Sequence, residues 1–147
     1  TYRSSKEIIE YLKNILNLNH VSAIRRESSF KVLEKHETNN LKEQLLEDLK
    51  DLSTTSKSIA IICKTEEEVN KIYELLKNDT QIIKIDSSTT KYDRKLVVIP
   101  SYISKGLEFD SVIVYNNIDN KYSEKERNLF YVSCTRSQHR LIVYNRN

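Results

Sequence analysis

The chain has 147 residues, 38% of them hydrophobic and 31% charged, which suits one domain around one core, and no apolar run approaches the ~20 residues that cross a bilayer. A formal charge of +3, with lysine and glutamate interleaved, permits nucleic-acid contact without demanding it. The single glycine, Gly106, excludes a phosphate-cradling loop of the GxxxxGK[ST] or GxGxxG kind, both of which need more than one.

Thr1 is preceded by neither a methionine nor a basic-then-apolar leader, so the chain reads as a piece of a longer protein. Ser4 and Glu7 fit a capping box, and Ile8, Ile9, Leu12, Ile15 and Leu16 follow at helical spacing, which predicts a helix over residues 5–18. At its entrance, Tyr2 locally suits an aromatic staple and Arg3 a solvated charge. Residues 19–35 are weakly patterned, with a candidate strand at 30–34. Leu41, Leu45, Leu46, Leu49 and Leu52 then predict an amphipathic helix over 39–52, packed on a sheet face.

A Ser/Thr cluster at 53–57 breaks the chain before SIAIIC at 58–63, a buried strand. Thr65 and Glu68 repeat the capping pattern ahead of Val69, Ile72, Tyr73, Leu75 and Leu76, giving a helix to about residue 78. With a strand at 81–85, these form a βαβ unit whose crossover is expected to be right-handed. Residues 86–94 are polar and expected to be exposed.

The β-branched runs at 96–99 and 111–115 are too short for helices and suit strands of a parallel sheet buried on both faces. The link between them, 100–110, carries Lys105, Glu108 and Asp110 around Gly106. A glycine there lets the backbone turn or approach a ligand closely, and loops at the carboxyl ends of such strands are where open α/β sheets bind ligands. An ordinary charged surface loop fits the same spacing. Beyond a polar loop at 116–122, Ser123 and Glu126 cap a third helix that carries Leu129, Phe130, Val132 and Cys134 inward and ends near residue 137. The last strand lies in 139–145. The whole predicts one α/β domain with a mostly parallel sheet covered on both faces.

Arg136 falls in the last turn of the third helix, seven positions after Leu129. It suits either a cation complementing the helix carboxyl terminus or a group extending past the sheet edge. Ser133 and Cys134 are small enough for close approach of this helix to the sheet. Cys63 and Cys134 stand in apolar contexts without a partner at ligand spacing, which suggests buried thiols in a reducing, cytoplasmic compartment. His20, His36 and His139 lack neighbours at ligand or triad spacing, so no metal site is expected.

Three segments carry a family resemblance. YRSS at 2–5, KGLEFD at 105–110 and RNLFYVSCTRSQHRLIVY at 127–144 resemble motifs IV, V and VI of superfamily 1 helicases, in the same order. IPSYISKGLEFDSVIVYN at 99–116 particularly resembles the branch containing DNA helicase IV and the RNA-polymerase-associated helicases of Gram-positive bacteria. The resemblance implies a RecA-like, C-terminal lobe without its own P-loop, closing on ATP held mainly by an N-terminal lobe, which would also hold Mg2+. It implies that Tyr2 stacks on adenine, that Arg3 and Arg136 reach the terminal phosphate as catalytic cations, and that Glu108 approaches the ribose. Lys105 and Gly106 would shape the loop linking nucleotide to nucleic acid, and Tyr102 stands where many relatives have a DNA-contacting histidine. The implied partners are single-stranded or partly duplex DNA, the N-terminal RecA-like lobe of the same chain, and RNA polymerase. The implied activity is ATP-dependent helicase or translocase action by the longer chain, with no hydrolysis expected from this part alone. The competing reading is a non-catalytic module that binds nucleic acid or RNA polymerase.

Overall fold

A computed structural model describes residues 31–89, 95–116 and 133–145. The leucines spaced by three and four form helix α1 (Leu41–Ser53), opened by the Asn40 side chain, which accepts from the Glu43 amide at 3.3 Å. Helix α2 (Glu66–Leu76) is capped by Thr65, whose hydroxyl oxygen accepts from the Glu68 amide at 3.2 Å. The expected capping pair is therefore present at Thr65, although the Glu68 carboxylate meets the Thr65 hydroxyl at 3.5 Å.

Among the described residues, six strands make one parallel sheet: β1 (Lys31–His36), β2 (Ile59–Cys63), β3 (Ile83–Lys84), β4 (Leu96–Pro100), β5 (Phe109–Asn116) and β6 (Ser137–Asn145). Their order is β1-β6-β5-β2-β4-β3. Successive side chains on a strand point to opposite faces, so the near-continuous apolar runs feed two cores. On one face Ile59, Ile61, Val98, Ile113 and Ile142 meet Leu45, Leu49 and Leu52 of α1 and Val69, Ile72 and Leu76 of α2. On the other, Ala60, Ile62, Val97, Ile99, Val112, Val114, Leu141 and Val143 pack with Cys134, Ile103 and Leu107. This two-sided burial is what an all-parallel sheet requires.

Polar ties also fasten α1 to the sheet. Asp48 is only 5% exposed, and it accepts from the Tyr144 hydroxyl and from Lys35 Nζ. A buried carboxylate needs such donors to offset its lost hydration. Beside it the Tyr115 hydroxyl donates to Glu37 at 2.7 Å and accepts from Lys71 Nζ at 3.0 Å.

Several boundaries differ from the sequence expectation. The candidate strand at 30–34 is β1, continuing to His36. The strand expected at 81–85 is only Ile83–Lys84, because the Ile82 amide turns back to the Thr80 hydroxyl at 3.2 Å. It pairs with β4, not with β2, so the βαβ unit skips a place: β4, with apolar side chains for both faces, takes the inner position, and the short β3 takes the edge. The link 100–110 is not all loop, since Ser101–Ser104 forms a helical turn, α3, and Phe109 already belongs to β5. The third helix is left by a turn at Thr135 and Arg136, and Ser137 opens β6. The helix expected over 5–18, with Tyr2 and Arg3, and the beginning of the third helix lie outside the described residues. Among the described residues, no helix is long and apolar enough to cross a membrane.

Candidate functional site

The segment after β4 is built by short-range hydrogen bonds. In α3 the Ser104 hydroxyl donates to the Ser101 carbonyl at 2.7 Å. Lys105 then adopts φ −57°, ψ 130° and Gly106 φ +85°, while the Leu107 amide donates to the Ser104 carbonyl at 3.0 Å. These are the dihedrals and bond of a type II turn, which needs a positive φ at its second central residue. A Cβ on Gly106 would meet nothing within 4 Å, so within this chain the glycine serves the turn and not a close approach.

Beyond the turn Leu107 joins the core and Glu108 arrives at the amino-terminal end of β5. The segment thus starts at the carboxyl end of β4 and finishes at the amino-terminal end of β5. Tyr102 therefore sits at the carboxyl end of β4, whereas Glu108 sits beside the start of β6, where Phe109 is in register with Ser137. This follows from parallel pairing, since a chain leaving the end of β4 must cross the sheet to begin β5.

There it meets Arg136. The Arg136 amide donates to the Ser133 carbonyl at 3.2 Å, and its carbonyl accepts from the Phe109 amide at 2.9 Å. Its guanidinium lies half-buried against the segment, with Nη1 donating to the Leu107 carbonyl at 3.3 Å and Nη2 to the Thr135 hydroxyl at 3.2 Å. The Glu108 carboxylate accepts from Gln138 Nε2 at 2.6 Å. A cation and a carboxylate are therefore both anchored at the amino-terminal ends of β5 and β6. Ser101 and Ser133, both 2% exposed, join their hydroxyls at 2.6 Å.

The remaining polar residues separate. Lys105 is exposed at the tip of the turn next to Gly106. Tyr102 is 51% exposed. Partial desolvation, with Glu66 and Asp86 beside it, holds its phenol above the ordinary range. Carboxylates so placed work against a phosphate contact at the hydroxyl. Asp110 leaves the site altogether, because its carboxylate accepts from the Lys57 amide at 2.7 Å and the Ser58 amide at 3.3 Å. It shapes the entrance to β2. Tyr2 and Arg3 are outside the described residues. Sequence reasoning missed Gln138 and the pairing of Ser101 with Ser133, which become neighbours only through the register of β5 with β6 and the approach of the small Ser133. Among the described residues, no group of three or more His, Cys, Asp and Glu could hold a metal ion.

The chain is similar to the C-terminal domain of a possible DNA helicase from Lactobacillus plantarum WCFS1, known from a crystal structure, with 30% identity and a TM-score of 0.77 over 99% of this chain and 87% of that one. No curated protein matches it. Residues 20–147 match the family of the UvrD-like helicase C-terminal domain. On that match, which includes both segments that meet at Arg136, the chain belongs to the UvrD-like helicase C-terminal domain family.

Proposed function

We propose that this chain is the C-terminal RecA-like lobe of a longer ATP-dependent DNA helicase or translocase, of the branch that contains helicase IV. The observation that carries the reading is Arg136 on a two-residue turn, its guanidinium laid on the Leu107 carbonyl beside Glu108. A guanidinium presents a planar fork of donors suited to spreading phosphoryl charge, and a carboxylate suits ribose hydroxyls. Both residue types fit a nucleotide whose triphosphate and Mg2+ are held chiefly by an N-terminal lobe. Arg136 stabilises charge on the terminal phosphoryl group, Glu108 orients the sugar, and Gly106 sets the turn that brings Leu107 and Glu108 to Arg136. Tyr2 stacks on the base and Arg3 supplies a second cation.

Lys105 and the ring of Tyr102 face single-stranded DNA, through contacts that are weakly sequence-dependent and salt-sensitive. Lobe closure on ATP and reopening after hydrolysis step the strand along. The free, buried Cys63 and Cys134 suit a reducing, cytoplasmic setting.

The test is single-stranded-DNA-stimulated ATP hydrolysis by the longer chain. Arg136→Ala lowers turnover by ~10³–10⁵ if Arg136 acts as an arginine finger, with nucleotide binding largely retained. Unchanged turnover refutes that role. Absence of ATP hydrolysis from both proteins, each folded, favours the non-catalytic binding module.

A further inference from the structure

We propose that Ser101 and Ser133 are positioning residues that tie the nucleic-acid-facing end of the 101–108 segment to the turn carrying Arg136. The inference rests on the function proposed above, because it gives a mechanical connection to the two places where that function puts DNA and phosphate.

The connection is a closed ring of hydrogen bonds. The Ser101 and Ser133 hydroxyls meet at 2.6 Å. The Ser133 carbonyl accepts from the Arg136 amide at 3.2 Å, and Arg136 Nη1 donates to the Leu107 carbonyl at 3.3 Å. The Leu107 amide donates to the Ser104 carbonyl at 3.0 Å, and the Ser104 hydroxyl donates back to the Ser101 carbonyl at 2.7 Å. Every corner of the ring belongs either to the 101–107 segment or to the 133–136 turn. The Oγ–Oγ bond is the side-chain staple between them at the end away from Arg136.

Two features make the staple a positioning device and not generic packing. The surrounding face is apolar, formed by Ile99, Ile103, Leu107 and Cys134 among others, so alanine at either position would suit the core chemically. A buried hydroxyl is accommodated there only through hydrogen bonds, which have direction and a fixed length where apolar contact has neither. Furthermore, Ser101 immediately precedes Tyr102 in α3. A displacement of α3 by a bound strand is passed through the Ser101 hydroxyl to Ser133, and from the Ser133 carbonyl to the backbone of Arg136 within three residues.

The experiment is a double-mutant cycle in the longer chain: wild type, Ser101→Ala, Ser133→Ala and the double variant. ATP turnover is measured without DNA and across a titration of single-stranded oligothymidylate, and thermal unfolding is followed in parallel. Loss of one hydrogen bond predicts a fall of roughly 2- to 12-fold in the ratio of stimulated to DNA-free turnover. The DNA concentration for half-maximal stimulation and the KM for ATP stay at their wild-type values. The double variant falls no further than the single ones, since either substitution already breaks the link between the two hydroxyls.

Stimulation equal to wild type in the single variants overturns the proposal. So do losses that multiply in the double variant, or that affect stimulated and DNA-free turnover equally and follow the melting temperature. A wild-type protein that binds ATP and DNA but shows no stimulated turnover removes the proposed function itself, and the positioning role falls with it.

Discussion

Replacing Gly106 by alanine separates the two roles a lone glycine can have in such a loop. At φ +85° an L-residue is strained wherever it sits, whereas the added methyl would meet nothing within 4 Å. The structure therefore predicts a purely conformational cost of about 1–2 kcal/mol, reduced a little by the lower entropy of the unfolded chain. For a chain of 147 residues this corresponds to a fall in Tm of roughly 2–8 °C. Asparagine tolerates left-handed backbone better than other side chains, so Gly106→Asn should recover at least half of the loss. Urea unfolding monitored by circular dichroism gives both values. A loss above about 3 kcal/mol for alanine, or a loss for asparagine equal to that for alanine, would refute the reasoning. Either result would mean that something other than the type II turn demands the absence of a side chain.

Two further consequences concern the cores. Tyr144→Phe keeps the ring but removes the hydroxyl that donates to the buried Asp48, which should cost about 1.5–3 kcal/mol in urea unfolding. Burial, followed by the bond to Asp48 and its charge, pushes the Tyr144 phenol above its ordinary value. The unfolded chain then gives up this proton first, so the stabilisation is complete below about pH 10 and diminishes as pH rises beyond it. The phenylalanine variant should lack that alkaline component, and an unaltered alkaline slope would count against the assignment. Burial likewise pushes both thiols, Cys63 and Cys134, well above the ordinary range. A disulfide reagent at neutral pH should label them only as fast as the fold opens; immediate labelling of either would contradict the packing.

Elements with a strong local pattern were legible before any coordinates. The leucine spacing at 41–52 and the Thr65–Glu68 pair announced α1 and α2, and the β-branched runs announced β2, β4 and β5. The order of strands was not legible, because nothing in residues 81–85 says that β4 will insert between them and β2. The turn α3 was missed as well, since SYIS is not a strong helix former and is held by the Ser104 hydroxyl on the Ser101 carbonyl. At the site, the residue types at 108 and 136 stood out through the helicase resemblance, and β5–β6 pairing then set them side by side. Asp110 shows the limit of motif reading. It has the same charge as Glu108 and lies in the same KGLEFD run, yet it binds backbone amides more than fifty positions away in sequence. Its role depends on where the chain before β2 passes.

The bonds around Arg136 also indicate how such a site would answer an anion. Its backbone is pinned by the Phe109 amide at 2.9 Å, at the edge of the β5–β6 ladder. Two of its side-chain bonds go to neutral oxygens at 3.3 and 3.2 Å, longer than the ~2.7–2.9 Å of a charge-assisted bond to an anionic oxygen. On the proposed function, a phosphate oxygen brought to this edge by the other lobe offers the guanidinium shorter and stronger partners than the Leu107 carbonyl and the Thr135 hydroxyl. The exchange moves the Arg136 side chain, while the β5–β6 pairing and the ring through Ser101 and Ser133 keep the turn in place. A backbone fixed in the sheet, carrying a side chain that can change oxygen partners, suits a lobe that must engage and release a phosphate in every cycle.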